Sequence, residues 1–93
     1  MIQSFKDKRT ARLFREGACP SAWRSFQAVA VRKLDQLDAA IRLDDMRAPP
    51  GNRLEPLRGD RAGQWSVRIN DQWRLCFVWG ANGPQDVEIV DYH

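Results

Sequence analysis

The sequence predicts an α+β fold, with an N-terminal strand and two helices packed on one face of a mainly antiparallel, twisted sheet of about four strands. Two observations carry that expectation. Apolar residues recur at steps of three and four as far as Ile41, and from Trp65 onward they alternate with polar ones. Between the two stretches, Ala48-Pro49-Pro50-Gly51 can continue neither a helix nor a central strand. A chain of 93 residues is expected to form one domain, residues 1–93, and its 43% hydrophobic content, with four Trp and four Phe, suffices for a single core.

Taken in order, Ile2 to Phe5 is expected to be a short strand, and Asp7 the N-cap of a helix that runs to about Glu16 and stops at Gly17. Pro20 and Ser21 then introduce the longest periodic segment. Trp23, Phe26, Ala30, Leu34, Leu37 and Ile41 form one stripe, which predicts a single amphipathic helix ending before Ala48. Beyond the prolines, Trp65, Val67 and Ile69 alternate with Ser66 and Arg68, and Trp73, Leu75 and Phe77 alternate with Arg74 and Cys76. A hairpin follows. If Asn70-Asp71-Gln72 is its loop, Ile69 faces Trp73, Val67 faces Leu75 and Trp65 faces Phe77, whereas a two-residue loop would mix the faces. Ala81-Asn82-Gly83-Pro84 makes the next turn, and Val87 to Val90 forms a last strand that delivers Asp91-Tyr92-His93. Trp23, Trp65 and Trp73 belong to the core by this pattern; Trp79 completes the apolar row or stacks on a base.

Composition narrows the function. No apolar run approaches the roughly 20 residues needed to cross a bilayer, and Met1 to Arg12 is polar and charged, so a cytoplasmic protein is expected. Cys19 and Cys76 form no Cys-x-x-Cys pattern and the one His is His93, so Cys and His cannot assemble a four-ligand zinc site. Free thiols and no metal or cofactor are the expectation. The net charge is +3, and Arg supplies twelve of fifteen basic residues, the side chain whose planar fork pairs with phosphate and stacks on bases.

The hairpin register has a chemical consequence, because the loop that aligns the apolar face also sets Arg68 directly opposite Arg74 on the other face. Like charges so placed repel. They splay into water, borrow a carboxylate such as Asp71 or Glu88, or await a polyanion; Arg58 and Arg61, flanking Gly59-Asp60, extend the basic patch. The second feature is the terminus Asp91-Tyr92-His93. His moves protons near neutral pH, Tyr donates hydrogen bonds, and Asp orients a partner or stabilises its cation. Asp91 and His93 alternate along a strand and can share a face, which is expected to be the uncovered one that carries the arginines.

The segment from Leu57-Arg58-Gly59-Asp60-Arg61 through Trp65-Ser66-Val67-Arg68 to Trp73-Arg74-Leu75-Cys76-Phe77, with Val87 to His93, closely resembles the HigB-type toxins of the RelE/ParE superfamily, also called plasmid-maintenance or host-inhibition killer proteins. Ile2-Gln3-Ser4-Phe5-Lys6 resembles the family's start, and the middle helix matches in pattern only. The resemblance implies a RelE-like fold and the toxin of a type II toxin–antitoxin system. It further implies a ribosome-dependent endoribonuclease that cuts messenger RNA by metal-independent acid–base catalysis, the RNA's own 2′-hydroxyl attacking the adjacent phosphate. The implied partners are a HigA-type helix-turn-helix antitoxin, the ribosome and messenger RNA, with operator DNA reached only through the antitoxin complex and no membrane involved.

Carried onto this chain, the family's acid–base and orienting roles fall on Asp91, Tyr92 and His93, and its phosphate contacts on Arg74 and Arg58. Arg68, Arg61 and Arg53 are expected to help bind RNA. Two positions depart from the pattern: Arg58 stands where relatives often have Lys, and Glu55 where some have His. Arg58 remains protonated, so it can stabilise a phosphorane but cannot serve as a base, and His93 is left as the sole imidazole. The fold alone also fits a ParE-like inhibitor of gyrase, or a non-catalytic component of the antitoxin–DNA complex.

Overall fold

Asp7 starts the first helix as expected, its carboxylate accepting the Thr10 N–H at 3.1 Å ahead of α1, Lys8–Glu16. Gly17 stops it. In the computed structural model, which describes residues 1–91, Gly17 adopts the left-handed conformation (φ 73) and donates to the Leu13 carbonyl, while Ala18 donates to that of Arg12. Thr10, fully buried, accepts the Ile89 N–H at 3.1 Å and so ties α1 to the sheet.

The second helical segment departs from the expected single helix. Ser21–Phe26 winds as a tighter 3-10 helix, which brings residues three apart onto one side and buries Trp23 and Phe26 together. The α-helix proper, α2, spans Gln27–Ala39 and buries Ala30, Leu34 and Leu37. Ala40 is extended (ψ 134), so Ile41 leaves the stripe and is 86% exposed, contrary to its expected place in the core. Asp45 accounts for the early stop. Its carboxylate accepts the N–H groups of Ile41 and Arg42 at 2.9 and 3.0 Å, bonds that hold its pKa below the usual range. A side chain that offers the backbone such bonds competes with helix continuation. A second short 3-10 helix, Leu43–Arg47, then inserts Met46 into the core, and a third, Pro50–Asn52, follows a cis Ala48-Pro49 bond.

The sheet is antiparallel and runs β1 (Glu55–Pro56), β2 (Trp65–Arg68), β3 (Trp73–Gly80), β4 (Gly83–Asp91) in spatial as well as chain order. Its hairpin register is the predicted one: Trp65 pairs with Phe77, Val67 with Leu75 and Arg68 with Arg74, and Ile69 donates to the Trp73 carbonyl. β4 starts four residues before the predicted Val87, at Gly83. Between the pairs Cys76–Glu88 and Val78–Gln85, two residues of β4 oppose Phe77 alone, with Asp86 taking the extra place at φ 51. That bulge also limits the N-terminal segment. Instead of a strand, Ile2 to Phe5 contributes one parallel bridge, Phe5 to Val87, and Ser4 Oγ accepts the N–H of the displaced Asp86 at 2.9 Å.

Helices and sheet meet in one core, in which Leu13, Trp23, Leu34, Leu37, Met46, Val67, Leu75, Phe77 and Val87 are almost wholly buried. Trp65, Trp73 and Trp79 pack against it half-buried, Trp73 lying edge-on to Trp23 at 6.2 Å. Among the described residues, no helix is long and apolar enough to cross a membrane.

Candidate functional site

Side chains alternate across the sheet, so the residues between the core positions form its outer face. Two cross-strand rows result. The first runs Glu55, Ser66, Cys76, Glu88 and the second Arg68, Arg74, Val90. The face is not wholly uncovered, as the pattern had suggested, because Ser66 and Cys76 are fully buried there. Leu57 folds back by donating to the Gln64 carbonyl at 2.8 Å, and from the short 3-10 turn Gly59–Arg61, Arg61 reaches Gln64 at 3.0 Å and Glu88 at 2.9 Å. Burial pushes the Cys76 thiol up to about 11, against the pull of the Arg61 guanidinium.

Arg74 is the best-anchored guanidinium of the face. Its Nε donates to Ser66 Oγ at 2.8 Å and its Nη2 to the Arg53 carbonyl at 2.9 Å, with the Glu55 carboxylate 3.8 Å away. Only 12% of the side chain is exposed, so its orientation is set before any ligand arrives. Arg68 pairs with Asp71, one of the carboxylates that the repulsion argument named. Arg53 and Arg58 are exposed, and Arg58 lines, with Glu55, Pro56 and Leu57, an open cavity of about 380 Å³. Arg61, Arg68 and Arg74 thus share this side of the sheet, with Arg58 beside Glu55 at its edge and the backbone of Arg53 against Arg74.

Asp91 is placed differently from its expected position. It pairs with Trp73, and Val90 pairs with Arg74, so register assigns Asp91 to the helix-facing side, at the same end of the sheet as Arg74. Gln72 Nε2 donates to its carboxylate at 3.0 Å. Tyr92 and His93 lie outside the described residues. Sequence reasoning missed Ser66 and the Arg53 carbonyl as partners of Arg74. Ser66 was within reach of it, since it shares the parity of Arg68, whereas nothing in the residue type of Arg53 marks its backbone oxygen. Among the described residues, no group of three or more His, Cys, Asp and Glu side chains is arranged to hold a metal ion.

Residues 3–93 match the family of RelE-like toxins of the type II toxin–antitoxin system HigB. The chain belongs to that family. It is 42% identical over 83 residues to toxin HigB-1 of Vibrio cholerae, covering 85% of this chain and 84% of the relative. With endoribonuclease HigB of Proteus vulgaris it shares 28% identity over 99 residues and 100% of both chains. Two solved structures share its fold. A chain of the YoeB–YefM complex from Staphylococcus aureus superposes with a TM-score of 0.61 at 17% identity, covering 100% of this chain and 98% of that one. A YafQ mutant from E. coli gives 0.60 at 13% identity, covering 98% and 91%. The arginine-bordered sheet is therefore the outer face of a HigB-like toxin.

Proposed function

We propose that this toxin is a ribosome-dependent endoribonuclease that cuts messenger RNA and so halts translation. The supporting observation is Arg74, a guanidinium held by Ser66 and the Arg53 carbonyl directly opposite Arg68, on a face that three further arginines border. Such a group stabilises negative charge that develops on a phosphate without having to reorganise first. In the proposed reaction the 2′-hydroxyl loses its proton and attacks the adjacent phosphorus, the bond to the 5′-oxygen breaks, and that oxygen takes up a proton. The products are a 2′,3′-cyclic phosphate and a free 5′-hydroxyl.

Arg74 and Arg58 stabilise the phosphorane, Arg53, Arg61 and Arg68 hold the RNA, and Tyr92 and His93 supply proton transfer, while Asp91, which register sets on the other side of the sheet from Arg74, has an orienting role from the strand end. No metal takes part. The toxin acts in the cytoplasm and is neutralised by a HigA-type helix-turn-helix antitoxin, through which alone it reaches operator DNA. Family membership supports an antitoxin partner, and the name of the Proteus vulgaris relative supports the nuclease class.

Primer extension on cellular messages after induction tests this reading. New RNA ends within codons are expected from the native toxin, and Arg74→Ala or His93→Ala should lower cleavage by about 10²- to 10³-fold and relieve growth arrest. DNA damage without new RNA ends would identify a gyrase inhibitor and overturn the proposal, as would undiminished cleavage by the Arg74 variant.

A further inference from the structure

Asn52 is fully buried, polar, and remote in sequence from the hairpin. The two N–H groups of its amide are shared among the carbonyls of Met46 and Ala48, at 3.0 and 3.2 Å, and Gln36 Oε1 at 3.2 Å. Its amide oxygen accepts from the Lys33 ammonium of α2, and its backbone N–H bonds the Pro49 carbonyl at 2.9 Å. Both ends of the side chain are therefore committed, and to α2 on one side and the 46–49 corner on the other. Gln36 reinforces the corner, donating to the Ala48 carbonyl at 2.6 Å.

The next residue is Arg53, in the left-handed region at φ 46 and ψ 58. An arginine gains nothing by itself from that conformation, and such backbone persists only where its surroundings over-determine it. Here the surroundings are the Asn52 knot. In that conformation the Arg53 carbonyl accepts from Arg74 Nη2 at 2.9 Å. With Ser66 Oγ on Nε, that carbonyl fixes the plane of the guanidinium.

We infer that Asn52 is a positioning residue for Arg74: it locks the corner that aims the Arg53 carbonyl, and through it sets the guanidinium that meets the scissile phosphate. The inference rests on the nuclease reading for its effect on cleavage, but not for its effect on Arg74 itself. A misplacement of about 1 Å can cost on the order of 10²-fold in rate.

The test uses the full chain and two readouts. Asn52→Asp keeps the shape and the Lys33 contact but sets a carboxylate against the Met46 and Ala48 carbonyls. It should speed solvent exchange of the Arg74 Nε–H, followed by NMR, by about tenfold and lower cleavage by about tenfold or more. Gln36→Ala loosens the same corner from its surface side and should act in the same direction to a smaller extent, which covers an Asn52 variant that fails to fold. In an Arg74→Ala background, Asn52→Asp should lower cleavage no further, because a residue that acts through Arg74 cannot add to its loss.

Equal losses in both backgrounds, or a lowered melting temperature with the Arg74 Nε–H and cleavage unchanged, would overturn the inference. If Arg74→Ala itself cleaves like the native toxin, the nuclease reading falls, and the exchange measurement still decides whether Asn52 positions Arg74.

Discussion

Cys76 sits in the middle strand on the face that carries the arginines, yet solvent does not reach it. Its thiol is pushed from an ordinary 9.0 to about 11, chiefly by burial. The folded protein therefore keeps the proton after the unfolded chain has lost it. A pKa raised on folding contributes stability that is fully present below 9.0 and is lost as pH rises through about 11. Denaturation titrations across that window should show stability falling with pH, with a shallower fall in Cys76→Ala; an unchanged slope in the variant would assign the loss to other groups. Arg68 illustrates the converse, a half-buried charge whose discomfort opposite Arg74 is relieved locally by the exposed Asp71, one turn of loop away.

At the level of elements, the hairpin was legible and the helical half was only partly so. Trp65 to Phe77 could be registered because a period of two tolerates no one-residue slip: a two-residue loop in place of Asn70-Asp71-Gln72 turns apolar side chains to the wrong face. The α1 limits were equally readable, since Asp7 and Gly17 act through local bonds. Ile41 was misassigned because periodicity records spacing alone, whereas the helix end is decided by Asp45, which lies beyond it. The N-terminal strand failed for a reason at the far end of the chain, the bulge at Asp86. The Ile89 N–H to Thr10 Oγ1 bond ties α1 to β4 across these halves. Thr10→Val keeps the volume but leaves that buried donor unpaired, which should cost about 1–3 kcal/mol and be visible as a lower melting temperature with faster amide exchange at Ile89.

For the molecule as a whole, the net charge of +3 understates the field, because Arg61, Arg68 and Arg74 share one side of the sheet, with Arg58 and Arg53 exposed next to them. If all five meet phosphates, the affinity for single-stranded RNA should fall with salt at a log–log slope of about −3.5, and each arginine removed should flatten it by about 0.7. A slope near zero would show that the face does not bind polyanions. The arginines themselves could be read from parity and loop position. Of their holders, Ser66 shares that parity, whereas Asn52 and the Arg53 carbonyl depend on how distant segments pack, and sequence spacing carries no record of that.

Three of these guanidinium groups already lie beside an internal anion: Arg61 beside Glu88, Arg68 beside Asp71 and Arg74 beside Glu55. On the proposed reading, docking RNA is therefore an eviction rather than the filling of empty sockets. A lone inorganic phosphate must displace a tethered carboxylate at each step and gains little from doing so, while a polymer displaces several in one encounter. On the nuclease reading the resting toxin is expected to discriminate by chain connectivity, passing over small anions in favour of a polymer.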